Sequence, residues 1–290
     1  MSESEWVLTR AFTRGKNRDA SLSEDSFLTR PTFAVIDGAT DKSGLKYELK
    51  DGSIVSAAKF ASSTIQDSLS RLAVGTEAEE SIKIISSELN EATLAQYPSI
   101  AINNRPSASI VVFDPTLKEI YSVGDCLYGF IYEDEGVIEF QNHWEPDRLL
   151  HAIRKKVITA RQLSENPWDP QSSEPDPGRQ VILPILTIQG LWANSDEPFG
   201  YGVINGLPVP SQYIRTQRVS KSCREVVLAS DGYPHLIVNH KIDFIESEKN
   251  LAHLLTIDPL CINELKGNKG LVKDNLSHDD RTWLQIVRKA

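Results

Sequence analysis

Cysteine is scarce in this chain of 290 residues. Cys126, Cys223 and Cys261 are an odd number, far apart and without CxxC spacing, which excludes a disulfide-built scaffold and a cysteine-ligated metal ribbon. They read as reduced, mostly buried thiols. No run of about 18 apolar residues occurs, so there is no candidate spanning helix. The opening MSESEWVLTRAF lacks the basic-then-apolar order of a secretory leader, and a cytoplasmic location is expected. Positive charge is in deficit as well: 31 Lys and Arg face 40 Asp and Glu, a formal net charge of −9. Nucleic acid and anionic membranes are therefore poor partners, and a phosphate group could be held only by local neutralisation, from an arginine or a bound cation.

What remains is an ordinary globular composition, 40% hydrophobic and 24% charged, in a chain long enough to bury about three quarters of its extended surface. WVLTRAFT (6–13) and FLTRPTFAVI (27–36) pattern as strands, the second interrupted by Pro31. SIVSAAKFASSTIQDSLSRL places Ile54, Ala58, Ala61, Ile65, Leu69 and Leu72 at helical spacing, and 77–97 and 145–165 pattern as further helices. Between them SASIVVFD, KEIYSVGD, LYGFIYED and GVIEFQN predict an antiparallel meander. RQVILPILTIQGLWAN resists assignment because Pro184 interrupts a helical pattern. After it, YGVIN, YIRTQRVS, REVVLAS and TWLQIVRK pattern as strands completing the same sheets, with the helical DFIESEKNLAHLL before the last. This order predicts an α+β layer architecture with largely antiparallel sheets.

Acids recur at strand ends. FAVIDG ends on Asp37 and Gly38, IYSVGD on Asp125, VVLASDG on Asp231 and Gly232; Glu24 and Asp25 precede one strand, Asp279 and Asp280 another. A single Asp-Gly is more often a turn than a ligand. Five acidic termini brought to one sheet edge repel one another unless a cation neutralises them. Oxygen donors favour a hard cation, Mg²⁺ or Mn²⁺, and the six histidines show neither HxH nor HExxH spacing.

In order, SEDSF, FAVIDGAT, SASIVVFD with IYSVGDCLYG, VVLASDGYPHL and HDDRTWLQIV resemble the metal-dependent protein Ser/Thr phosphatases of type 2C (the PPM family), from about residue 10 to the end. The resemblance implies one domain over 1–290, a four-layer αββα sandwich with a divergent flap at about 141–220. It also implies two Mg²⁺ or Mn²⁺ ions, with a third and weaker one at Asp125. Asp37 would bridge the two ions and the Gly38 carbonyl would contact one. Asp231 and Asp279 would bind the first ion, and Glu24 and Asp25 would act at the second through water. A hydroxide bridging the metals would attack phosphorus directly, on a phosphoserine or phosphothreonine of a protein substrate. The catalytic set is then Asp37, Asp231 and Asp279. Two departures stand out. The family's phosphate-binding arginine, four residues before the Glu of its E-D motif, is here Ala20, with Arg18 the nearest substitute ahead of Lys16 and Arg14; and DGAT supplies no histidine after Asp-Gly. A pseudophosphatase that serves as a binding module, and a small-molecule phosphoesterase, are the alternatives.

Overall fold

The computed structural model describes residues 5–17, 22–40, 42–134, 136–142, 145–271, 273 and 275–289. Two five-stranded sheets, antiparallel at every pairing, carry the architecture. The first orders β1 (Trp6–Arg14), β14 (Arg281–Arg288), β11 (Cys223–Ala229), β8 (Leu127–Tyr132) and β9 (Val137–Phe140). The second orders β10 (Arg215–Arg218), β7 (Glu119–Val123), β6 (Ala108–Asp114), β3 (Phe33–Gly38) and β2 (Ser26–Leu28). Two small hairpins are separate, β4 (Lys46–Glu48) with β5 (Ile54–Ser56) and β12 (Ile237–Val238) with β13 (Lys241–Ile242).

The layers follow from the two-residue period of the strands. In β3, Phe33 and Val35 enter the core between the sheets, whereas Ala34 and Ile36 face α1 (Ala57–Arg71) and α2 (Ala78–Gln96) on the other side. β6 splits the same way, with Val111 and Phe113 inward and Ile110 and Val112 toward the helices. On the first sheet Val226, Leu228, Leu284 and Ile286 complete the inter-sheet core, while Val227, Ala229 and Trp283 pack with Tyr233, Leu236 and Phe244, the last at the start of α5 (Phe244–Ile257). The order helices, sheet, sheet, helix is the expected αββα sandwich. No helix among the described residues is long and apolar enough to cross a membrane.

Three local expectations change. Ile54 is not the first residue of a helix but an exposed strand residue at 65% accessibility. The helix begins at Ala57 because Ser56 caps it, its Oγ accepting from the Lys59 amide at 3.2 Å. The meander is broken in the middle: β6 pairs β7 in one sheet and β8 pairs β9 in the other, so the chain crosses between sheets at 124–126. YGVIN makes isolated bridges, Ile204 with Ala108 and Tyr201 with Ala193, rather than a strand.

The segment 141–220 supplies α3 (Glu145–Gln162), α4 (Pro177–Ile188) and β10. Pro184 does sit within α4, eight residues in. α3 and α4 pack through Leu150, Ile182 and Leu186, and Ile158 with Trp168 holds Ile262 of the 258–271 loop. Together they form a lid over one end of the sandwich.

Candidate metal centre

Antiparallel pairing is what gathers the acids. β3 ends beside the start of β2, with Ile36 opposite Ser26, and beside the start of β6, with Asp37 opposite Ser109. β11 ends beside the start of β14, with Ala229 opposite Trp283. The crossover between sheets delivers Asp125 to the same edge. Gly124 makes the crossing with φ +96°, a conformation that favours glycine, and a Cβ there would run into the Ser109 side chain. Ser109 Oγ then lies 2.6 Å from Asp125 Oδ1, which ties Asp125 to the residue opposite Asp37.

Carboxylate oxygens of Asp37, Asp125 and Asp231 lie within 4.8 Å of one another. All three carboxyls are pushed upward in pKa, first by burial, and Asp125 reaches about 6. For Asp37 the next causes are the charges of Asp231, Asp25, Asp125 and Asp279. Such a group costs free energy as three anions, a cost that a cation could offset.

Asp25 lies deeper. Its Oδ2 accepts from Ser230 Oγ at 2.7 Å and Thr282 Oγ1 at 2.8 Å, while its buried Oδ1 has no partner. Burial raises its pKa to about 7. A buried carboxylate oxygen left without a donor, behind three converging carboxylates and with no thiolate or imidazole among them, fits a hard divalent cation and its water shell.

Asp279 and Glu24 are held differently. Lys16 is 9% exposed, and its Nζ lies 3.1 Å from Glu24 Oε2, 3.1 Å from Asp279 Oδ1 and 3.7 Å from Asp280 Oδ2. Asp280 accepts the backbone amides of Lys16 at 2.6 Å and Glu24 at 2.7 Å, which fastens the N-terminal loop to the start of β14. Glu24 also takes hydroxyls from Ser56 and Thr40. Burial would raise the Asp279 pKa, but Lys269 and Lys16 hold it well below the usual range. Asp279 faces the pocket beside Asp37 and Asp231; Glu24, Asp25 and Lys16 lie beneath it. Gly38 also lines the pocket, and it is glycine for a packing reason: a Cβ would come within 2.6 Å of the Ala58 carbonyl and 2.7 Å of the Glu24 carbonyl.

The pocket encloses about 840 Å³ between this acidic floor and the lid. Asp147 of α3 and Arg179 of α4 enter it from the lid, Lys269 from the 258–271 loop after α5, and Lys42 from the turn after Asp37-Gly38. None of these four was singled out from sequence. Charge is their only local signal: Lys42 follows Asp37 on the same turn, while nothing in the pattern ties Asp147, Arg179 or Lys269 to residue 37. Arg18, the expected phosphate ligand, lies outside the described residues. Arg14 is exposed on β1, away from the pocket lining.

Neither a protein-family model nor a curated protein matches the chain. Among solved structures it is similar to the Mycobacterium tuberculosis serine/threonine phosphatase PstP/Ppp, at 12% identity over 98% of this chain and 100% of that one, with a TM-score of 0.46. A serine/threonine phosphatase from Staphylococcus aureus gives 13% identity over 98% and 96%, with a TM-score of 0.49. RsbX in complex with magnesium gives 12% over 98% and 100%, with a TM-score of 0.43. Bacterial serine/threonine phosphatases are thus among the structures this chain resembles, and the case for its chemistry rests on the residues of its own site.

Proposed function

We propose that the chain is a metal-dependent phosphomonoester hydrolase that dephosphorylates phosphoserine or phosphothreonine in proteins. The observation that carries this reading is the convergence of Asp37, Asp125 and Asp231 on the floor of a pocket whose opposite wall is cationic. Acids alone would repel a phosphate; acids loaded with cations attract it.

Asp37, Asp125 and Asp231 would hold the ions, Mg²⁺ or Mn²⁺, with the Gly38 carbonyl and Asp279 completing the set and Asp25 receiving water from behind. When bound, the ions would supply Lewis acidity toward the phosphoryl group and toward water. The protein contributes positioning. Ser109 fixes the Asp125 carboxylate, Ser230 and Thr282 fix Asp25, and Lys16 fixes the Oδ1 edge of Asp279.

Hydrolysis of a phosphoserine or phosphothreonine peptide with Mn²⁺, its abolition by EDTA, and its loss in Asp37→Asn and Asp231→Asn are the expected results. Full turnover in EDTA, or in both variants, would sink the assignment. Turnover of small phosphoesters alone would move the substrate class and leave the chemistry.

A further inference from the structure

Opposite the acidic floor the pocket carries Lys42, Arg179 and Lys269 beside Asp147; Lys269 already acts on Asp279, and Lys42 and Arg179 have no such assigned work. Lys42, Arg179 and Lys269 all line it, and none forms an ion pair with a carboxylate among the described residues. Arg179 is half-buried. Of its five N–H donors one, on Nη1, reaches the Asn268 carbonyl at 3.0 Å. Lys42, an exposed residue of the turn at the pocket rim, gives its ammonium to the Thr40 carbonyl. Burial, followed by the charges of Arg179 and Lys269, pulls the Lys42 pKa down to about 8. Two cations, Lys42 and Arg179, sharing a cavity with few acceptors between them describe a positive field that an anion would relieve.

We propose that Arg179, with Lys42, is the phosphate clamp of this site, gripping the substrate's phosphoryl oxygens from the lid while the acidic floor faces them from below. The inference rests on the phosphatase reading and adds the residues that hold the substrate. Position supports it on both sides. Lys42 stands five residues after Asp37, on the turn that leaves the acidic floor, and Thr40 in that turn is anchored to Glu24 by its hydroxyl at 2.9 Å. Arg179 stands in the first turn of α4, where Asp176 Oδ1 accepts its backbone amide at 2.8 Å. Asp176 is itself locked by the fully buried Arg154, whose Nε and Nη2 lie 3.0 and 2.7 Å from Asp176 Oδ2. The guanidinium is therefore presented from a rigid base, and its planar fork matches two phosphoryl oxygens. Lys16 does not reach the pocket, so its charge serves the acids beneath rather than a substrate.

The test is calorimetric titration of inorganic phosphate into the Mn²⁺-loaded protein, for wild type, Arg179→Gln, Arg179→Lys and Lys42→Gln, beside steady-state hydrolysis of a phosphopeptide. Arg179→Gln and Lys42→Gln should each weaken phosphate binding about tenfold, the worth of one charge-assisted hydrogen bond, and raise KM by a similar factor. Arg179→Lys, which keeps the charge and loses the fork, should fall between wild type and Arg179→Gln. Mn²⁺ binding by each variant should match wild type, which also reports that each is folded. Phosphate affinity unchanged in Arg179→Gln and Lys42→Gln, or no phosphate binding by the wild type, overturns the clamp. A wild type that hydrolyses no phosphoester while still binding phosphate through Arg179 overturns the phosphatase reading instead.

Discussion

The Lys16 ammonium lies 3.1 Å from Asp279 Oδ1, a cation of the protein's own set into the acid cluster. The same Nζ holds Glu24 and reaches toward Asp280, so one lysine compensates three carboxylates at and beneath the pocket floor. Burial works against its charge, yet Asp279, Glu24 and Asp280 raise its pKa above the ordinary lysine value. The floor is thereby divided. Lys16 compensates Glu24, Asp280 and one edge of Asp279, and Asp37, Asp125 and Asp231 are the acids that the proposed ions would neutralise.

Lys16→Met should accordingly destabilise the metal-free protein by about 3–5 kcal/mol, the cost of leaving buried carboxylates without their partner. Urea denaturation in EDTA measures it. An unchanged midpoint would show that solvent already screens these acids.

Asp37→Asn should act in the opposite sense on the apoprotein. Removing one of three converging charges relieves repulsion, for a gain on the order of 1 kcal/mol, the worth of one pKa unit. The same substitution removes the proposed bridging ligand. The thermal shift produced by Mn²⁺, about 2.7 kcal/mol for wild type at a hundredfold excess over Kd, should therefore collapse. A variant that is more stable without metal and indifferent to it is the expected signature.

Stability should also depend on pH in a direction set by the raised carboxyls. Asp25 titrates near 7 in the fold against an ordinary 3.8, and Asp37 and Asp231 are shifted the same way. Between those values the folded chain binds more protons than the unfolded one, so the metal-free protein loses stability as pH rises from about 4 to about 7. Mn²⁺ competes with those protons. Its stabilising effect should be larger at the upper end of that window, which melting curves with and without EDTA would show.

Arg154→Met should loosen the lid. The substitution leaves Asp176 buried without its partner and strips donors from the Leu260, Cys261 and Gly267 carbonyls, at a cost of about 3–5 kcal/mol. Limited proteolysis should then cut between α3 and α4 sooner than in wild type, and KM should rise more than kcat falls, because α4 carries Arg179. Wild-type proteolysis and KM would show that the ion pair does not hold the lid.

Much of this was legible along the chain. Unbroken apolar runs at 33–36 and 110–113 specify strands buried on both faces, and the i, i+4 spacing of Ala61, Ile65 and Leu69 specifies the helix that covers one of them. Asp37, Asp125, Asp231 and Asp279 were legible as candidates because strand-end acids in a fixed order form a pattern. α1 starts at Ala57, three residues after Ile54: Ile54 fits the helical spacing, but Ser56 caps the helix.

Lys16, Lys42, Arg179 and Asp147 were not legible in these roles, because their function is a matter of which side chains they face. Basic residues two positions apart look the same along the chain whether they are solvated, as Arg14 at the end of β1 is, or enclosed by acids, as Lys16 is. The sequence by itself determined the strands, the main helices and the acids at the strand ends, because those rest on local periodicity and on residue chemistry. Only the tertiary structure decided that the chain crosses between sheets at Gly124, that this brings Asp125 to Asp37 and Asp231, and that a lid from 141–220 turns its cations toward them. Charge interactions act through space over several ångströms, and separation along the chain does not record that distance.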